Sequence, residues 1–263
     1  KSSAIGFQTA SIAKNTDGEY VFEVDYYDGR GLVTDMKKSY PTGHLLSTNT
    51  EYTFTKKPSQ VTTSIEYDGK SYSTTSTYAY NIHNDELEKV TLGSMGKTQV
   101  VAQYGYDAIG RQTHVTKPSA VGVESYTYNV RNWETEMSSR SLAERLSYEK
   151  DADKPCFNGN IARQQWQTGN ESILRGYDFA YDNLNRLVSS HYGEGQSLED
   201  NKGRYDETVG KYNANGAIMS LQRNGKLNDG NFGVIDNLTY ILDGNRPMSI
   251  SDAATSLVYS GSF

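Results

Sequence analysis

One cysteine, Cys156, stands in the 263 residues, so the chain has no internal disulfide framework. Histidine is scarce as well: His44, His83, His114 and His191 lie apart from one another and from Cys156. None has the spacing of a metal-ligand pair, and the chain is expected to hold no metal and no cofactor. No run approaches the roughly 18 apolar residues of a membrane span. Lys1-Ser2-Ser3 does not open a charged-then-apolar leader, and with no initiator Met an internal piece or a processed chain is expected. The 26 basic and 32 acidic residues are interspersed, giving a net charge of −6 and no basic stripe of the kind that marks a nucleic-acid footprint. A nucleophile elbow, a phosphate-binding loop and a dinucleotide fingerprint are missing too.

Tyrosine is what the chain has in excess: 21 residues, against 7 Phe and 2 Trp, while only 35% of the sequence is apolar. Such a composition suits half-buried sheets, whose rings keep a polar end near water or a backbone partner. The stretch Tyr104 to Thr116, YGYDAIGRQTHVT, reads as a hairpin. Tyr104 and Tyr106 are two apart, Thr113 and Val115 continue the alternation after the turn, and Asp107 to Gly110 has the chemistry of a type I turn. Arg111 follows the turn.

The same word recurs at Tyr27-Asp28 with Gly31, Tyr80-Asn81 with Asn84, Tyr128-Asn129 with Asn132, Tyr181-Asp182 with Asn185, and Tyr212-Asn213 with Gly216. Gly and Asn fill about one position in six, yet one of them stands at the expected positive-φ place in every word. That regularity marks a repeat. A second aromatic precedes the anchor at Tyr104, Tyr126 and Phe179, and Arg186 follows Asn185 as Arg111 follows Gly110. An altered copy contains Tyr240, Asp243 and Gly244, where Asp-Gly predicts a tighter hairpin turn; Tyr67-Asp68-Gly69-Lys70 looks similar. The intervals from Tyr27 to Tyr80 and from Tyr128 to Tyr181 are each long enough to hide a decayed copy.

YGYDAIGRQTHVT and FAYDNLNRLVSSHY resemble the YD repeats of the RHS family, whose usual word is Y-x-Y-D-x-x-G-R-L followed by an alternating strand. Cys156 to Ile161 resembles a spacer between repeats, and Tyr212 to Arg223 a late copy. The resemblance runs from about Tyr20 to the C-terminus. It implies a shell built of hairpins, which in bacterial members encloses a C-terminal toxin or effector of a secreted or surface protein. The implied partner is the remainder of the chain itself: further repeats, the RHS core, which is absent from this sequence, and the effector.

The fold expected is all-β, with successive antiparallel hairpins in a twisted, curved sheet strip or partial shell. Residues 1–19 read as a lead-in, and 20–263 as a repeat array truncated at its C-terminus. Strands are expected over Tyr20–Tyr26, Glu51–Phe54, Val61–Tyr67, Tyr72–Tyr80, Val100–Tyr106, Thr113–Thr116 and from Glu124 to Tyr128. Asn237–Ile241, Pro247–Ser251 and Leu257–Tyr259 complete the set. Ser141–Tyr148 has a capping-box option for one helical turn, but the period-two surroundings favour strand or irregular structure. Asp151–Pro155 and Gly193–Asp206 read as exposed loops, the second mobile.

Asp28, Asp107 and Asp182 are the carboxylates to weigh for glycosidase chemistry. Asn replaces Asp in the other words, which a turn tolerates and catalysis does not, so these positions read as structural and the chain as a non-catalytic scaffold. The alternative is a carbohydrate-binding or adhesive cell-surface module, in which exposed rings outside the words, such as Tyr192 or Tyr205, would stack on a glycan.

Overall fold

The computed structural model describes residues 6–118, 122–150 and 152–255. Among them are nineteen strands and no helix. The chain divides into two compact units, Lys1–Val123 and Glu124–Phe263.

The first unit runs β1 (Ala10–Lys14), β2 (Tyr20–Tyr27), β3 (Val33–Ser39), β4 (Leu45–Tyr52), β5 (Pro58–Tyr67), β6 (Lys70–Tyr80), β7 (Leu87–Ser94), β8 (Lys97–Tyr106) and β9 (Gln112–Thr116). Each strand pairs antiparallel with the next, from Ile12↔Phe22 at one end to Tyr104↔Val115 at the other. Short loops permit nothing else, since a parallel return needs a crossover. Ala10–Lys14, read as part of the lead-in, is therefore the first strand. Its turn is the Asn15–Gly18 signal, with Gly18 at φ 85°.

The second unit runs β10 (Val123–Tyr128), β11 (Glu134–Ser138), β12 (Leu142–Ser147), β13 (Arg163–Thr168), β14 (Arg175–Tyr181), β15 (Leu187–Glu194), β16 (Glu207–Tyr212), β17 (Ile218–Lys226), β18 (Phe232–Asp243) and β19 (Arg246–Asp252). It is again an antiparallel meander. The Ser141–Tyr148 stretch is strand, because Leu142–Ser147 finds a full partner in Arg163–Thr168. Ser139, whose Oγ accepts from the Leu142 amide at 3.1 Å, turns the chain ahead of it. Leu257–Tyr259 lies outside the described residues.

Few side chains are fully buried, as expected of hairpins laid side by side. In the first unit, Ala102 and Val115 are the buried apolar residues among those described. On β2 the alternation is as expected, but Tyr20, Phe22, Val24 and Tyr26 form the exposed row and Glu23 and Asp25 the less exposed one. The second unit is denser. There Arg163 and Asp178, directly opposite across β13 and β14, make a bidentate pair with both bonds at 2.7 Å. Arg223 holds the fully buried Asp236 in the same way across β17 and β18.

The Gly193–Asp206 segment differs from the exposed loop expected. It folds back on the sheet: Leu198 is 2% exposed, Tyr192 4%, and Gln165 donates from Nε2 to the carbonyls of Gly195 and Gln196. Tyr192 is thus buried, its ring edge-on to those of Tyr177 and Tyr205 and its hydroxyl bonded to Glu194. Gly193 makes this possible, since a Cβ there would stand 2.0 Å from the Leu198 carbonyl oxygen. Replacing Leu198 by Ala is expected to cost about 2 kcal/mol or more. Urea unfolding followed by fluorescence reports on this unit alone, because Trp133 and Trp166 both belong to it. A change in midpoint no larger than that of an exposed control such as Leu184→Ala would contradict the packed loop.

Candidate functional site

The repeated words fall at the same place in successive hairpins, at the loops β2–β3, β6–β7 and β8–β9 in the first unit and β10–β11, β14–β15 and β16–β17 in the second. All the word loops of a unit therefore lie along one edge of its meander. Each word also sits at a break in register: the ladder shifts between Tyr26 and Tyr27, Ala79 and Tyr80, Gly105 and Tyr106, Thr127 and Tyr128, Ala180 and Tyr181, and Lys211 and Tyr212. A type I turn closed by a left-handed residue produces such a bulge.

The first-corner side chain organises the loop. Asp107 Oδ1 accepts from the amides of Ile109 and Arg111, each at 3.0 Å, while the Gly110 amide donates to the Asp107 carbonyl at 3.1 Å. Asp28 and Asp182 repeat this with Arg30 and Leu32, and with Leu184 and Arg186. Asn129 and Asn213 do so with an amide oxygen. Those two bonds need only an acceptor, which explains the interchange of Asp and Asn. The closing residue is left-handed at Gly31, Gly110, Asn132, Asn185 and Gly216. Asn84 is the exception. In the Asn81 loop the Asp85 amide, not that of Asn84, donates to the Asn81 carbonyl, and Asp85 carries the positive φ of 61°. One extra residue moves the left-handed position along by one.

The anchor tyrosine works at longer range. Its hydroxyl donates to a backbone carbonyl of an earlier hairpin: Tyr27 to Gln8, Tyr80 to Pro58, Tyr106 to Leu87, Tyr181 to Ile161 and Tyr212 to Leu187, at 2.5 to 2.9 Å. Two further tyrosines make the same bond, Tyr52 to Val33 and Tyr148 to Glu134, both at 2.8 Å. These are the decayed copies in the two long intervals. Tyr52 keeps the loop as well, with Thr53 as first corner and Lys56 left-handed at φ 68°, whereas Tyr148 leads into the spacer. The acceptors follow a rule. Val33, Pro58, Leu87, Glu134 and Leu187 are the residues that pair with Tyr27, Tyr52, Tyr80, Tyr128 and Tyr181. Each clasp thus lands beside the anchor of the word before.

Cations reach the other way. Arg30 donates to the Thr53 carbonyl and Arg186 to that of Asn213, the first corners of the following words, and the Arg186 guanidinium lies 4.4 Å from the centre of the Tyr212 ring. Lys57, in the equivalent place, pairs with Asp85 at 3.0 Å. Arg111 binds Asp107 at 2.6 Å.

The second aromatic of the words has no such task. Tyr126 bonds the Glu124 side chain, and Phe179 stacks on Tyr177. Tyr104 lies opposite Val115. In the altered copy the bulge falls at Leu242, two residues after Tyr240, and the two-residue loop is Gly244-Asn245, because Asp243 pairs with Arg246. Gly244 at φ 61° in the first loop position meets the requirement of a type II′ turn. Asp68-Gly69, left-handed at both residues, fits the type I′ form.

The local electrostatics follow from these contacts. The amides of Leu32, Arg111 and Arg186 are the main cause holding the Asp28, Asp107 and Asp182 carboxyls below their usual range, with the neighbouring arginines adding to it and burial opposing it. Burial raises the phenols of Tyr80, Tyr106 and Tyr181. Among the described residues no three His, Cys, Asp or Glu side chains gather as metal ligands would.

No protein-family model and no curated protein matches the chain. Solved structures do match. One is TcdB2-TccC3 without its hypervariable C-terminal region, at 11% identity and TM-score 0.49, over 92% of this chain and 16% of that chain. Another is the Photorhabdus luminescens Tc holotoxin pore, at 11% identity and TM-score 0.30, over 92% and 19%. This chain spans less than a fifth of either.

Two outcomes test the ladder. Gly110→Val is expected to lose more than ~1 kcal/mol, since it strains a left-handed position and sets a Cβ 3.0 Å from Glu86 Oε1, while Ala108→Ser in the same loop stays silent. Equal shifts in thermal melts followed by circular dichroism would mean that the turn is misplaced. The aspartates give a pH signature. Their folded pKa values lie below the unfolded ones, so their stabilisation is complete above the usual carboxylate range and is lost as pH falls through the lower folded values. The triple variant Asp28→Asn, Asp107→Asn, Asp182→Asn should therefore flatten the acid limb of a stability profile while keeping the loops; an unchanged limb would remove the aspartates from the account.

Proposed function

We propose that the chain is a non-catalytic scaffold, a segment of an RHS/YD-repeat shell that encloses or presents a C-terminal toxin or effector of a secreted or surface bacterial protein. The observation that carries this reading is the directional clasp. Every hairpin holding a clasp tyrosine is tied to the hairpin before it by a bond that depends on register and not on any local pocket. Such an arrangement propagates a wall whose stability is a sum over neighbours. Its carboxylates, which would otherwise suggest hydrolysis, are occupied by turn amides and arginines. The family word in the sequence supplies the rest of the proposal, including the effector and the secreted or surface location.

The test lies in the reading frame after Phe263. Expected are more Tyr-Asp words, then a core that cleaves the chain, then an unrelated tail that stays with the repeats after cleavage and resists protease until they are unfolded. A tail that separates on cleavage, or is digested as fast as the isolated segment, would overturn enclosure.

A further inference from the structure

The edge opposite the turn words carries a surface that the scaffold does not use. There the hairpins β3–β4 and β5–β6 end side by side, at Tyr40–His44 and at Asp68-Gly69. Residues opposite one another in an antiparallel ladder share a face. The pairs Lys38↔Leu46, Leu46↔Ile65 and Ile65↔Tyr72 thus form one row across β3 to β6. Two positions nearer the edge, Tyr40 bonds His44, His44 stacks on Tyr67, and Tyr67 pairs with Lys70.

Nothing among the described residues covers these rings: Tyr67 is 51% exposed and Tyr72 53%. The β6–β7 ladder stops at Thr74↔Ser94, so Tyr72 and Lys70 have only β5 beside them. His44 and Tyr67 are nearly parallel, 4.1 Å apart at 9°, and Thr42 Oγ1 fixes the imidazole through Nδ1 at 2.6 Å. Beside them Tyr40, Leu46 and Ile65 line an open concavity of about 340 Å³. Tyr67 and Tyr72 stand in the diagonal relation, roughly 7–8 Å apart, which suits successive units of a sugar chain.

We propose that this face binds an acidic glycan, its pyranose CH faces on Tyr67 and Tyr72 and a carboxylate at Lys70. Rings flanked by hydroxyls and an imidazole match the mixed apolar and polar faces of a sugar better than those of a lipid or an apolar helix. Charge selects the acidic kind. Lys38 is already paired with Glu23 at 2.9 Å, whereas no carboxylate pairs with Lys70 among the described residues, a local excess of cation in a chain of net charge −6. Neither ring belongs to the clasp, so binding and scaffold stability are separable.

The experiment titrates the protein with three acidic probes, tetragalacturonate, a glucuronate-containing hyaluronan tetrasaccharide and sialyllactose, and with neutral tetragalactose, by calorimetry. At least one acidic probe is expected to saturate. Tyr67→Ala and Tyr72→Ala should each weaken it by about tenfold or more, with thermal midpoints unchanged. Lys70→Gln should weaken the acidic probe and leave the neutral one within about twofold. Phe54→Ala, a fully exposed ring at a turn word, serves as control and should change nothing. Absence of saturable binding to all three acidic probes, equal affinity for the neutral sugar, or binding that survives both tyrosine substitutions would each overturn the proposal. The fate of the tail after cleavage is read independently of all of these.

Discussion

The bond on which the rest depends is the tyrosine hydroxyl to the carbonyl of the preceding hairpin. In the first unit, which has few fully buried residues, cross-strand pairs must supply most of the stability, and a lone hairpin is marginal in water. A hydrogen bond contributes on the order of 1 kcal/mol net. Repeated at each hairpin, always to the residue beside the previous anchor, it couples neighbours that otherwise share only a ladder. The bulge at the anchor is part of the device, because the break in register lies immediately before each of these tyrosines.

The turn residues serve that geometry. Asp or Asn at the first corner satisfies two loop amides, and a left-handed residue closes the loop and generates the bulge. Where arginine or lysine follows, it reaches the next word, so one edge of each unit carries contacts running both ways along the array. The opposite edge has no such duty. Its loops vary from two residues at Asp68-Gly69 to the long packed segment after β15, and the uncovered rings around Tyr67 lie there. A repeat that fixes one edge leaves the other free to acquire binding surfaces.

Much of this was legible in the residues. The words named the loops, and their spacing announced two missing copies, which are Tyr52 and Tyr148. Asn84 and Tyr240 were misplaced because a pattern of residue types does not reveal a loop longer or shorter by one residue. Thr53 and Lys56 escaped notice because neither is the residue type expected at its place, although the Tyr-x-x-x-Lys-Lys frame held the loop. Composition made the segment after Gly193 look exposed; Leu198 buried itself because Gly193 left room for it.

The sequence by itself determined the meander. Period-two strands joined by short loops with Asp, Asn and Gly at fixed offsets have no folding option other than successive antiparallel hairpins. Only the tertiary structure decided what each tyrosine touches. The clasp joins residues 14 to 25 positions apart across two strands, and its acceptor is a backbone carbonyl, which any residue type supplies and which therefore leaves no mark in the sequence. The same holds for the face around Tyr67 and Tyr72. Its rings come from neighbouring strands whose register, set by the turns, alone decides that they meet.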